Sequence, residues 1–222
     1  MLTGTVWHLA LAVLVFLVSH SLTNLKAVRR PAEAAVGARG FTLAYSALSL
    51  LLLWWIIRAY QQAPTLVLWV QEPWMRWAPP VAMAAACVLI AAGMTTPNPF
   101  SIGPGGKGYD PARPGILRLT RHPVLWGLAL WAGGHVVPNG DAAALLVFVP
   151  LLALALAGPA LLDAKRRRSL GAARWHELAW LTGRPAPALL AEVGWPRVLL
   201  GVALFALLYA LHEPVIGASP HP

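Results

Sequence analysis

Residues 142–168 read AAALLVFVPLLALALAGPALLDAKRRR, and this stretch decides the class of fold. Across residues 142–162 no side chain is charged; Asp163 and the run Lys165, Arg166, Arg167 and Arg168 then follow at once. A hydrocarbon layer about 30 Å thick takes roughly 20 helical residues to cross, because lipid offers no partner to a bare N–H or C=O. The stretch therefore reads as a membrane helix that ends at a basic surface. Five further apolar segments lie at residues 4–23, 41–60, 79–95, 122–137 and 198–212, the last two being short. The expectation is an all-α fold, a polytopic transmembrane helix bundle of about six spans, forming one membrane domain over residues 1–222.

Composition agrees. Of the 222 residues 58% are hydrophobic and only 11% charged, and the mean hydropathy is +0.63, far from the balance of a water-soluble domain. The net charge of +9 is not a nucleic-acid signal, because fifteen of the seventeen Lys and Arg residues fall in three connections, at 24–40, 96–121 and 163–197. Only Arg58 and Arg76 lie on the other side, where Trp69, Trp74 and Trp77 read as an aromatic belt. By the positive-inside rule the three basic connections are cytoplasmic and both termini face the non-cytoplasmic side. The first segment lacks a basic n-region and a cleavage signature, so it reads as a retained span.

Cys87 is the only cysteine, which excludes intrachain disulfides, C-x-x-C-H haem attachment and thiolate clusters. Any haem must be held non-covalently. Residues 97–114 are rich in Pro and Gly and read as a loop, while residues 163–180 mix basic side chains with Leu170, Trp175, Leu178 and Trp180 at helical spacing, as an interfacial amphipathic helix would. There is no internal repeat and no long polar stretch for a soluble domain.

Ionisable side chains inside a span are costly, so the histidines there need an explanation. His20 lies near the end of the first segment, His122 opens the fourth in Arg121-His122-Pro123, and His135 closes it after Trp131-Ala132-Gly133-Gly134. Neutral imidazole is a good ligand for haem iron. No carboxylate lies within the apolar segments, which favours a porphyrin over a carboxylate-rich metal pair. The alternative for each is a structural, hydrogen-bonded histidine, and that is how His8, His176, His212 and His221 are read. His122 and His135 are about 20 Å apart along a regular helix and on different faces, so they cannot share one iron. A His20 and His135 pair is compatible with a porphyrin tilted towards the membrane plane. Gly127, Gly133 and Gly134 keep one side of the fourth segment slim, either for close helix packing or for a flat cofactor or extended apolar substrate. Asn139 and Asp141, in the turn Pro138-Asn139-Gly140-Asp141, either cap the next helix or orient His135.

The combination of His20 with Leu25 and Arg29-Arg30, Arg39-Gly40 before Tyr45-Ser46, Thr120-Arg121-His122-Pro123, Trp131 to His135 and Asn139-Gly140-Asp141 resembles the NnrU family. That family is named for an association with denitrification and includes the plant 15-cis-zeta-carotene isomerase. The resemblance implies a multi-pass protein of the bacterial inner membrane that binds haem b, with His20 and His135 at the ligand positions. It also implies an apolar small-molecule substrate, or a redox role linked to denitrification. His122 matches the histidine of the family's Arg-His-Pro motif. Ala132 stands where the plant enzyme has a cysteine thought to exchange as a ligand, so a thiolate–imidazole switch is not expected.

A weaker resemblance links Arg121-His122-Pro123, Gly127, Asp163, Leu170-Gly171 and Trp175 to membrane methyltransferases such as isoprenylcysteine carboxyl methyltransferase, which use S-adenosylmethionine. Asp163 replaces the usual glutamate pair, and Trp175 and Leu178 replace the expected tyrosines. A non-enzymatic assembly factor for nitrite or nitric oxide reductases is the third reading.

Overall fold

The structure is a computed structural model and describes residues 3–22, 25–185, 187 and 189–222, with Lys26 by its backbone alone. The helices are α1 (Val6–Leu22), α2 (Lys26–Gln62), α3 (Ala78–Thr95), α4 (Pro123–Val136), α5 (Ala142–Leu170), α6 (Ala172–Ala179), α7 (Leu189–Val193) and α8 (Trp195–Ile216). Short 3-10 turns cover Pro73–Trp77 and Gly115–Arg118. Among the described residues the only β feature is an isolated bridge between Val67 and Asp141.

Each of the six apolar segments is helical, and among the described residues four stretches are by length and composition apolar enough to cross a membrane: Ala27–Gln62, Pro73–Thr95, Ala142–Leu170 and Trp195–Ile216. The other two of the about six expected spans, α1 and α4, are shorter than that length. α1 and α4 have 17 and 14 residues. α4 is short because Pro123 fixes its first turn and the Pro138–Asp141 turn follows its end. Thr23, the expected end of the first segment, lies outside the described residues. The basic connection at 24–40, expected as a loop, is mostly helical and joins the second segment, with a break at Gly37 (φ 75°, ψ 162°) that only glycine adopts without strain. Arg29 and Glu33 pair one turn apart there at 2.8 Å.

The chain gathers into two compact units, one formed by Met1–Val70 with Gly140–Val147 and the other by Gln71–Asn139 with Phe148–Pro222. In the first unit α1 lies along α2, burying Leu9, Ala12 and Val13 together with Leu52, Ile56 and Ala59. Trp55 Nε1 donates to His8 Nε2 at 2.9 Å, and the rings of His20 and Tyr45 meet edge-on at 5.3 Å. The turn at Gly140 joins this unit through the carbonyl of Gly140, which accepts from the N–H groups of Leu68 and Trp69. A side chain at Gly140 would run into the Trp69 carbonyl and indole.

In the second unit α3 is the central element, flanked by α4 and α8. Glycine lets the backbones close up. A Cβ on Gly127 would lie 2.6 Å from Ile90 and 2.9 Å from the Ala86 carbonyl; on Gly134, 2.7 Å from Ala82; on Gly93, 2.8 Å from Pro123. Of the two meanings left open for this glycine-rich face, Gly127 and Gly134 serve helix packing. Gly133 has only ordinary contact with Leu152, at 3.8 Å.

The connections after α3 and α5 fold over the end of this bundle and make a small core of Phe100, Ile116, Leu117, Trp175, Leu178 and Val193 around Ala92. α5 stops at Gly171 (φ 78°), and α6 then turns Trp175 and Leu178 inwards. The stretch expected as one amphipathic helix at 163–180 is thus divided between α5 and α6, with Trp175 and Leu178 turned to the protein and Trp180 left exposed. Phe100 offers Trp175 an aromatic partner at 5.1 Å, edge to face, which a loop read without its tertiary neighbours does not reveal.

Candidate functional site

Two groups of polar side chains stand out in the second unit. The first is built around Arg121 and His122, just ahead of α4. Asn98 is almost fully buried, and its carbonyl oxygen accepts from the N–H groups of Phe100 (2.9 Å) and Ser101 (3.1 Å), a tight local turn. Its amide donates to the Arg121 carbonyl at 3.0 Å, which ties that turn to the start of α4. Ser101 and His122 thereby meet, with Ser101 Oγ 2.9 Å from His122 Nδ1. The other ring nitrogen, Nε2, lies 2.8 Å from Asp163 Oδ1. Asp163 is presented by the last turns of α5, and its second oxygen takes a 2.6 Å ion pair from Arg121 Nη2.

Arg121 also donates through Nη1 to Thr182 Oγ1 at 3.2 Å, and its guanidinium sits 5.5 Å over the Trp175 ring. With Asp163 ionised by its Arg121 contact, the neutral imidazole that satisfies both neighbours donates Nε2–H to the carboxylate and accepts the Ser101 hydroxyl proton at Nδ1. The chain Ser101, His122, Asp163, Arg121, Thr182 is continuous and mostly buried, and its charges are matched internally. It can hold a proton in a fixed place, and it locks the loop, α4 and α5 together. Close by, Tyr109 donates to the Leu178 carbonyl at 3.0 Å. Burial, with Asp110 adding to it and Arg121 opposing, pushes the Tyr109 hydroxyl up to about 12, so it stays a neutral donor.

The second group lies at the other end of α4. His135 is half-buried, and its Nδ1 is 2.7 Å from the Trp131 carbonyl one turn back. A carbonyl only accepts, so Nδ1 carries the proton and Nε2 is left with the lone pair. Phe148 lies against the imidazole face at 4.9 Å, and Trp131 meets Phe148 edge-on at 5.6 Å. The His212 ring of α8 is 6.2 Å from that of His135.

The residues singled out in the sequence thus divide. Arg121 and His122 meet in the first group, while Trp131 and His135 meet in the second. Asn139 donates to the His135 backbone carbonyl at 2.7 Å, and Asp141 accepts from the Ala144 N–H at 2.9 Å, which caps α5. His20 belongs to the first unit, where its Nδ1 is 2.9 Å from the Phe16 carbonyl and its ring lies 4.1 Å from that of Phe16. His20 and His135 therefore share one local device, an imidazole held by the carbonyl of an aromatic residue four positions earlier. Sequence reading missed Asn98, Ser101 and Thr182, and took His212 as structural. The one signal for Asn98 was a polar residue between two prolines directly after a span.

Among the described residues no three or more His, Cys, Asp or Glu side chains gather to hold a metal ion. An iron bound here would need its remaining ligands from elsewhere, which a porphyrin supplies. The donor chemistry of His135 fits that requirement, since it is a neutral imidazole whose second nitrogen is already oriented.

The fold and these groups define a helical membrane-type protein whose histidines are oriented inside apolar helices. The chain belongs to the NnrU family, whose profile, described as NnrU protein, matches residues 8–220. Neither the curated proteins nor the solved structures contain a match to it.

Proposed function

We propose that this chain is a haem b-binding membrane protein in which His135 would hold the iron and which acts on an apolar small molecule drawn from the bilayer, as isomerase members of the family do. The observation that carries this reading is the Nδ1 contact of His135 to the Trp131 carbonyl, which fixes the tautomer and leaves Nε2 to coordinate. His20, a ligand position by the resemblance, makes a matching contact to the Phe16 carbonyl in its own unit. Bound haem supplies an iron centre with redox-dependent affinity for ligands and for polarisable double bonds. The protein's own part is to orient the imidazole, to pack Phe148 and Trp131 around it, and to keep it away from bulk water. Ala132 is fully buried at the position where the plant isomerase has its exchangeable cysteine, so no thiolate is available from that position. Absorption spectroscopy of the detergent-purified protein tests this. A Soret band that falls in His135→Ala is expected, and haem content unchanged in that variant would refute the assignment.

A second reading, methyl transfer from S-adenosylmethionine, is favoured by one observation. Asp163, distant in sequence from the adjacent pair Arg121 and His122, contacts both of them, and all three belong to the weaker resemblance. It predicts saturable binding of S-adenosylmethionine, measured by calorimetry, that is lost in Arg121→Ala. No binding by folded protein would dismiss it.

A further inference from the structure

The apolar run of α5 ends before the helix does. The helix continues from Ala142 to Leu170, so the basic residues after Asp163 are carried by the same rod that has the length and composition of a span. Its exposed side can be followed by helical spacing. Leu154, Ala157 and Leu161 are exposed, and Lys165 and Arg168 are exposed at the next positions of the same stripe. Residues three and four apart share one face of a helix, so this face is apolar as far as Leu161 and cationic directly beyond it. Arg167 lies off the stripe and turns to the protein, 5.6 Å over the Trp175 ring.

Depth and charge both fit a lipid headgroup. Leu162 is the last apolar residue before Asp163. At a rise of about 1.5 Å per residue, Lys165 stands about 4.5 Å beyond it and Arg168 about 9 Å. The headgroup layer adds about 5–8 Å to each side of the hydrocarbon, and long basic side chains can bend back into it. The neighbouring carboxylates are already engaged, Asp163 by Arg121 and His122 and Glu177 by Arg174. Among the described residues neither Lys165 nor Arg168 forms an ion pair. Arg168 Nε donates to the Ala164 carbonyl at 3.1 Å, which holds the guanidinium against its own helix and leaves its terminal N–H groups for an acceptor outside the protein. A zwitterionic headgroup brings its own ammonium to such a place; an anionic one brings only the missing charge.

We propose that this face of α5 binds an anionic glycerophospholipid, its acyl chain along Leu154, Ala157 and Leu161 and its phosphate shared by Lys165 and Arg168. Side chains three positions apart on a helix start about 5–6 Å from one another, a gap that one phosphate bridges.

The test titrates the full chain in detergent with phosphatidylglycerol or phosphatidylcholine and counts bound lipid by native mass spectrometry. The wild type is expected to prefer phosphatidylglycerol. Lys165→Gln and Arg168→Gln are each expected to lower that preference about fivefold, the attraction one basic side chain contributes at an anionic surface. Arg58→Gln, away from the stripe, is expected to leave it unchanged. Leu161→Gln is expected to weaken binding of both lipids, because it interrupts the path of the chain. Equal binding of the two lipids by the wild type overturns the proposal, as does a preference that survives in the double variant Lys165→Gln, Arg168→Gln. Displacement of the lipid by millimolar inorganic phosphate would assign the cations to a free anion and overturns the lipid site. If the double variant does not fold, the wild type decides in rising salt. Its preference is expected to fall as screening grows, and one that holds from about 0.1 M to about 1 M salt overturns the proposal.

Discussion

At the scale of single residues, Asp163 is the junction of the polar network, because one carboxylate serves both Arg121 and His122. Asp163→Asn keeps the volume and removes the charge, which leaves a guanidinium at the edge of the core without its counter-ion. A loss of about 1–3 kcal/mol is expected, since a stranded charged donor costs more than its bond contributed. Thermal unfolding in detergent reads it, and an unchanged midpoint would show that the pair contributes nothing. The motif Arg121-His122-Pro123 was legible in the sequence as a polar entry to a helix, but its partners were not. Ser101, Asp163 and Thr182 come from three other segments, and no local pattern encodes a pairing made by the folded chain.

At the scale of elements, the glycines around α3 set how closely its neighbours approach. Gly127 faces the Ala86 carbonyl and the Ile90 side chain, so even a methyl group there forces the backbones apart. Gly127→Ala is expected to destabilise the protein by about 1–3 kcal/mol, the usual cost of overpacking, while Gly133→Ala, which meets only a leucine at van der Waals distance, is expected to be neutral. The two melting curves check this as a pair, and equal shifts would remove the packing role assigned to Gly127. The sequence showed that this helix has a slim side; which glycine touches a neighbour depends on helix rotation, which the composition of one face does not fix. The same limit applies to α6. Its periodic apolar residues were visible, yet whether they face lipid or protein was settled by Phe100, Leu117 and Val193 closing over them.

At the scale of the whole molecule, the charge distribution predicts topology. Fifteen of the seventeen basic side chains sit in the three connections expected on the cytoplasmic side. Alkaline phosphatase fused at the C-terminus should therefore be active and a fusion in the 97–114 loop inactive, and the reverse pattern would invert the assignment. By itself the sequence determined that the chain is helical and apolar enough for a bilayer, because long runs without charge can satisfy their backbones only as helices. It also marked His20, His122 and His135 as polar groups needing a reason to be there. Only the tertiary structure decided which side chains meet: that His122 is spoken for by Ser101 and Asp163, and that His135 lies beside His212. Backbone satisfaction is a local demand written into each run of residues, whereas the matching of one polar side chain to another depends on distances between segments that exist only once the helices have packed.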